Sequence, residues 1–240
     1  MLTFNIITLF PSLFTEHLAN LPFKRATQKN AAEYNLVQLR NYANDKRGTV
    51  DDKPYSGGVG MILMIEPIYK ALVDTLGLTL ERGVQQLADL KKDPKQRIIV
   101  LSPRGQRLTQ AKLQELSECE QITLINGRYE GIDARVENMA TDVISIGDYV
   151  ISGGELASLV IMEGVTRLLP GILEKEDATT VESFSGKRAV DNMSEAGNLE
   201  YPQYTRPEDF RGLKVPEVLL SGNHKEVELW KEKNSKAATV

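Results

Sequence analysis

The chain has 240 residues, of which 41% are hydrophobic and 26% charged, with a net charge of −4. That balance suits a globular protein with a real core and argues against a disordered chain. No apolar run approaches the ~18 residues a membrane span needs, and at ~100 to 200 residues per domain the length accommodates one α/β domain plus a small appendage.

The N-terminal run MLTFNIITLF has no basic leader and stops at Pro11-Ser12. It reads as a buried first strand, Leu2 to Leu9, and not as an export signal, so the expected compartment is the cytoplasm. A helix over Pro11 to Ala19 follows, with proline at its first turn. Further strands are expected at Leu36 to Leu39, Arg97 to Leu101, Gln121 to Ile125 and Asp142 to Ile146. The helices between them are expected at Pro67 to Leu76, Thr109 to Ser117 with Thr109 as N-cap, Ile132 to Met139, and Glu155 to Leu168, stopped by Pro170-Gly171. Alternating strands and helices predict an α/β fold on a largely parallel sheet. From Glu174 to Leu199 the text turns polar, which predicts domain 1–173, linker 174–199 and a small helical module over 200–240. In that module Asn223 and Glu226 form a capping pair for a final helix through Trp230. The single cysteine, Cys119, has acidic neighbours in Glu118 and Glu120 and reads as structural.

The stretch from Asn126 to Leu156 is the most informative. Gly127, Gly131, Gly147, Gly153 and Gly154 sit where strand-like runs end, and glycine there lets bare backbone approach a ligand. Each alone reads as a tight turn; five in one span predict a site. The first strand lacks a GxGxxG turn, there is no Walker lysine or GxSxG elbow, and His17 and His224 do not make a metal site.

Several segments together carry a resemblance: SIGDYVISGGEL (145–156), NGRYEGID (126–133), LSPRG (101–105), RGTVDDKPYSGGVGM (47–61), and the later YTRPEDF and VPEVLLSGNH. The chain resembles the bacterial tRNA (guanine-37, N1) methyltransferases of the TrmD family, within the SPOUT superfamily. The resemblance implies an α/β domain with a C-terminal trefoil knot, an exception to the rule against threaded chains, and a homodimer whose sites draw on both chains. It implies S-adenosylmethionine as cofactor, Mg²⁺ as a candidate auxiliary ion and tRNA as partner. The cofactor residues it implies are Leu101, Ser102, Pro103 and Gly105, then Gly127, Tyr129, Glu130 and Gly131, then Ile146, Gly147, Asp148, Tyr149, Val150 and Ile151 with Gly153 and Gly154. Pro103 and Tyr149 would wall the ligand.

Methylating N1 of guanine removes the N1 proton while negative charge builds on O6, so a base and a cation are required. By the same resemblance the cation is Arg167, in GVTRLLPG, which read alone is a helix-end arginine favourable to the dipole. The base is Glu182, in VESF, where the family carries aspartate. Glutamate adds about 1.5 Å of reach. A second family aspartate is Glu200 here. Glu130, read from the residues alone, is a turn acid pairing with Arg128 or Arg135. Ser56 and Val59 stand where the family has glycine and proline, in a loop whose Gly57, Gly58 and Lys53, beside Lys46 and Arg47, are candidates for holding RNA; Arg206 and Lys225 are candidates in the C-terminal module. A pI near 5.4 confines phosphate contacts to a local, salt-sensitive patch. Two alternatives stay open: another SPOUT RNA methyltransferase, and an RNA-binding homologue with weakened catalysis.

Overall fold

The structure is a computed structural model and describes residues 1–175, 179, 182–185 and 198–237. The chain forms two compact units, Met1–Glu174 and Lys175–Val240. Most of the expected linker lies outside the described residues.

The first unit is built on a five-stranded sheet in the order β2-β1-β6-β5-β7. Its strands are β1 Leu2–Thr8, β2 Ala32–Gln38, β5 Gln96–Arg107, β6 Gln121–Ile125 and β7 Asp142–Ser145. Every pairing is parallel. A small antiparallel pair, β3 Asp51–Asp52 and β4 Ile62–Leu63, stands apart. Burial on both faces explains the near-continuous apolar runs of β1, β5 and β6. Leu2, Phe4 and Ile6 point into one core with Phe14 of α1 (Ser12–Leu18), Phe23 and Ala26 of α2 (Phe23–Gln28), Leu116 of α5 (Gln110–Ser117), and Ile161, Met162 and Val165 of α6 (Glu155–Thr166). Ile7 and Leu9 point into the other, with Ile68 and Leu72 of α3 (Ile65–Thr75), Leu87 of α4 (Gly83–Leu90), and Val136 and Met139.

The sequence expectations hold for the parallel α/β class and for Thr109, whose hydroxyl accepts from the Lys112 N–H at 3.2 Å as an N-cap. Besides β5, which runs on to Arg107 where Leu101 was the expected end, three elements differ. Ile132 to Met139 is not an α-helix: Ile132 bridges Leu63 and the Asp133 N–H bonds to Leu63 O, so only Ala134–Met139 is left to wind, as a 3₁₀ segment that buries Val136 and Met139 at the three-residue spacing of that helix. Strand β2 begins at Ala32, four residues before the expected Leu36, because an edge strand accepts polar side chains such as Glu33 and Asn35. Helix α6 ends at Thr166, two residues short of Leu168. There the Tyr34 hydroxyl meets Thr166 Oγ1 at 2.8 Å, and burial pushes this phenol up to about 12. Beyond the helix, Arg25 and Lys29 of the α2 region donate to the carbonyls of Ile172 and Gly171 at 2.7 and 2.8 Å.

Strand β5 carries the feature that shapes the site. Leu101 and Gln106 both pair with Ile144, so residues 102–105 loop out and return to the same neighbour. Gly105 makes the return possible, since a Cβ there would sit 2.5 Å from the backbone of Val143 and Ile144.

The second unit was expected to be helical. It holds α7 (Glu217–Leu220) and α8 (His224–Asn234), with the Glu226 N–H bonded to Asn223 Oδ1 at 3.5 Å as the capping pair predicts. It also holds two short antiparallel pairs, β8 (Asn198–Leu199) with β11 (Lys236–Ala237) and the hairpin of β9 (Asp209–Phe210) with β10 (Leu213–Lys214). The hairpin turn at Arg211-Gly212 has positive φ at both residues, 53° and 92°, the geometry a tight hairpin needs. Tyr201 and Tyr204 pack edge-on against Trp230, each with ring centroids 6.2 Å apart.

Gly105→Ala is expected to lower unfolding stability by about 1–3 kcal/mol, because the added methyl meets backbone that cannot rotate away. Chemical denaturation checks this, and a variant as stable as the parent would refute the close crossing.

Candidate active site

The carboxyl ends of β5, β6 and β7 open onto a cleft of about 320 Å³, the place where open α/β sheets bind ligands. Its walls are the 102–105 excursion within β5 and the loops that leave β6 and β7, 126–133 and 146–154. Val100, Leu101, Ile144 and Ala157 give it a buried apolar floor. Of the residues expected to hold the cofactor, Leu101, Ser102, Pro103, Gly127, Tyr129, Glu130, Gly131, Ile146, Gly147, Tyr149, Val150, Ile151, Gly153 and Gly154 all line the cleft. Gly105 and Asp148 are not part of its lining. Gly105 is packed on the next strand as described, and the Asp148 carboxylate is 87% exposed and turned 3.7 Å from Arg107.

The glycines have reasons more varied than ligand approach. A Cβ on Gly153 would lie 2.3 Å from Arg128 Nε, one on Gly154 would lie 3.0 Å from Asn126 Cα, and one on Gly147 would lie 2.4 Å from the Tyr149 ring. The first two keep loops packed on loops, and Gly147 makes room for the Tyr149 ring of its own loop. Gly131, at φ +133°, has open space where a side chain would be.

Sequence reasoning missed the network behind the wall. Glu155, at the first turn of α6, is 1% exposed. It accepts from Arg128 Nε at 2.9 Å and from Thr8 Oγ1 at 2.9 Å. Arg128 also donates to Ser152 O at 3.4 Å and lies over the Phe10 ring, 4.6 Å from its centroid. Asn126 is buried beside them; its side chain donates to Ile7 O at 2.9 Å and accepts from Ser158 Oγ at 2.7 Å. An acid after Gly-Gly at a helix start reads as an ordinary dipole-complementing residue, and nothing in the text signals its burial.

The expected pairing of Glu130 is corrected. Arg128 pairs with Glu155, and Arg135 pairs with Asp133 at 2.6 Å, so Glu130 pairs with neither; it lines the cleft, with its side chain beside Gly60. Its backbone N–H bonds to Met61 O at 3.0 Å and Gly131 O accepts from Leu63 N–H at 2.9 Å. These bonds dock the loop between β3 and β4 on the loop after β6; Lys53, Gly57 and Gly58 in it are exposed, as are Lys46 and Arg47. In that loop Ser56 holds φ +69°, a conformation glycine adopts without cost.

Arg167 does not line the cleft. It caps the far end of α6, and about 15 Å of helix axis separates it from Ala157 at the cleft floor. Glu182 belongs to the second unit. The adjacent Ser183 Oγ accepts from the Glu200 N–H at 3.0 Å, which ties the segments carrying Glu182 and Glu200 together. Arg206 is exposed. Among the described residues no group of three or more His, Cys, Asp or Glu side chains could hold a metal ion, and Mg²⁺ is not carried further; no helix among them is long and apolar enough to cross a membrane.

The family model described as tRNA (Guanine-1)-methyltransferase TrmD matches residues 2–240. The chain belongs to the TrmD family. It is 45% identical over 232 residues to the tRNA (guanine-N(1)-)-methyltransferases of Bacillus cereus strain AH820 and Bacillus anthracis strain A0248, covering 96% of this chain and 86% of each relative. It is also similar to the crystal structure of tRNA (m1G37) methyltransferase from Aquifex aeolicus, with a TM-score of 0.71 and 36% identity over 97% of this chain and 88% of that one. The TrmD-family match runs through both units, so it covers the cleft and the C-terminal hairpin and helices alike.

Hydrogen bonds from Arg135 hold the Asp133 carboxyl below its ordinary range, outweighing the effect of its partial burial. A depressed carboxylate contributes stability that is present above its unfolded value of about 3.9 and is lost as pH falls through the lower folded value. Asp133→Asn keeps the cap acceptor and removes the charge. The gap in melting temperature between parent and variant is therefore expected to be widest above about pH 5 and to close below about pH 4; a gap independent of pH would refute the assignment.

Proposed function

We propose that this chain transfers a methyl group from S-adenosylmethionine to N1 of guanine 37 in tRNA. The observation that carries the reading is the three-loop cleft in a chain matched end to end by one family of such enzymes. The cleft fits the cofactor: its volume is at the small end of small-molecule sites, its floor suits a flat heteroaromatic ring, and the backbone from Ile146 to Ile151 offers donors and acceptors for the ring edge. Glu130, in the cleft lining, suits a positively charged ligand. When bound, the cofactor supplies an electrophilic methyl group on sulfur.

The chain's own residues supply the rest. Glu182 takes the N1 proton, which makes N1 nucleophilic, and Arg167 neutralises the charge that collects on O6. Lys46, Arg47, Lys53 and Arg206 meet phosphates, and Gly57 and Gly58 let the RNA backbone approach. The trefoil threading and cytoplasmic location implied by the resemblance belong to the same reading.

A homodimer makes the distances workable. Leu156, Val160 and Arg167 lie on one face of α6, at positions i, i+4 and i+11, and both apolar residues are exposed, at 59% and 46%. A second copy packed antiparallel on that stripe would cover the apolar residues. It would also carry each Arg167 along the helix toward the other copy's cleft, as an isologous contact does.

Incubating tRNA with the protein and labelled S-adenosylmethionine is expected to give 1-methylguanine on nucleoside analysis. A ribose methyl product would indicate a different SPOUT activity, and no product at all would indicate an RNA-binding homologue. Glu182→Gln is expected to lower the single-turnover rate about 10²–10⁴-fold, with Glu182→Asp retaining activity; a fully active Gln variant removes Glu182 as the base. Val160→Glu is expected to convert the dimer to monomer in sedimentation and to abolish methylation, and an active monomer would sink the shared-site arrangement.

A further inference from the structure

We propose that Arg128 and Glu155 form a positioning pair that sets the spacing between two walls of the cofactor cleft. The inference rests on the cofactor reading above. Four pieces of chain meet at this pair. Arg128 belongs to the loop after β6. Glu155 starts α6, and the Ser152 carbonyl that Arg128 reaches belongs to the loop after β7. Thr8, at the end of β1, fills the other carboxylate oxygen of Glu155 and accepts from the Phe10 N–H at 3.0 Å. Alongside the ion pair, the Gly154 N–H bonds to Gly127 O at 2.9 Å and Arg128 bridges Gly153.

The Arg128–Glu155, Arg128–Ser152, Gly154–Gly127 and Arg128–Gly153 contacts all join the two loops whose backbone faces the ligand. The flanking residues Gly127, Tyr129, Gly153 and Gly154 line the cleft, so a change of an ångström in the pair is a change of an ångström in the cleft width. The glycine at 153 is fixed by the same arrangement, because a methyl there would occupy the place of the guanidinium. A neutral pair of similar shape would fill the volume without the directional bonds, keeping the fold and losing the spacing. Burial of the pair is therefore weak evidence for stability and better evidence for geometry.

The test compares Glu155→Gln, Arg128→Lys and the double variant Arg128→Met/Glu155→Gln, which leaves no orphan charge to unfold the protein. Affinity for S-adenosylhomocysteine is read by calorimetry and amide exchange is read without ligand. Ile122→Val, a core change remote from the cleft, serves as the control for stability. All three pair variants are expected to bind at least about tenfold more weakly, a loss equivalent to ~1.4 kcal/mol, while Ile122→Val binds as the parent does. Amides of 127–131 and 152–154 are expected to exchange faster in the pair variants alone. Binding within twofold of the parent in the double variant, or unchanged exchange in both loops, would overturn the proposal. A parent protein that fails to bind S-adenosylhomocysteine would instead sink the cofactor reading, and the exchange comparison would still decide the role of the pair.

Discussion

The buried carboxylate of Glu155 is the constraint around which the site is arranged. A charge that is 1% exposed carries a desolvation cost of several kcal/mol unless it is paired and hydrogen-bonded. Glu155 has a guanidinium on one oxygen and a hydroxyl on the other, and it sits at the amino end of α6, where the helix dipole favours negative charge. Satisfying it requires β1, the loop after β6 and the loop before α6 to end at one point. That convergence joins the loops after β6 and β7, two walls of the cleft, and leaves no room for a side chain at Gly153, where a Cβ would meet the Arg128 guanidinium.

The class of fold was legible because parallel strands are buried on both faces and so announce themselves as apolar runs, as in β1, β5 and β6. Helices with strong local signals, such as the one capped by Thr109, were legible too. Helices α2 and α4 were not: α2 is six residues long, and neither has a side-chain cap, so packing holds them where local propensity gives no sign. The 3₁₀ segment at Ala134–Met139 misled because its apolar spacing is compatible with either helix, and the bridge from Ile132 to Leu63 that shortens it is a contact between distant positions.

The cleft shows the same division. Glycine at strand ends correctly marked its walls, but the reason assigned to each glycine was legible only where the ligand side is open, as at Gly131. At Gly105, Gly147, Gly153 and Gly154 the hydrogen replaces a side chain that would strike another part of the protein. Sequence reports that a position must be small and does not report what presses on it. Arg128 and Glu155 were invisible for the related reason that two charges 27 residues apart form a pair only after the chain has folded.

Arg167 and the two glutamates of the second unit bear on how such a site tolerates change. Under the proposed function, Glu182 and Glu200 each exceed the aspartate the resemblance implies by one methylene, about 1.5 Å, and a shift of that size at a proton-transfer group is costly when the backbone is fixed. The bond from the Glu200 N–H to Ser183 Oγ ties the two positions together, so a displacement of one segment moves the other in the same sense. In that reading a single shift of the tethered backbone would accommodate both lengthened acids. Under the proposed function, the freedom to vary lies with these tethered segments of the second unit, and the fixed geometry lies with the loops joined by the Arg128–Glu155 ion pair.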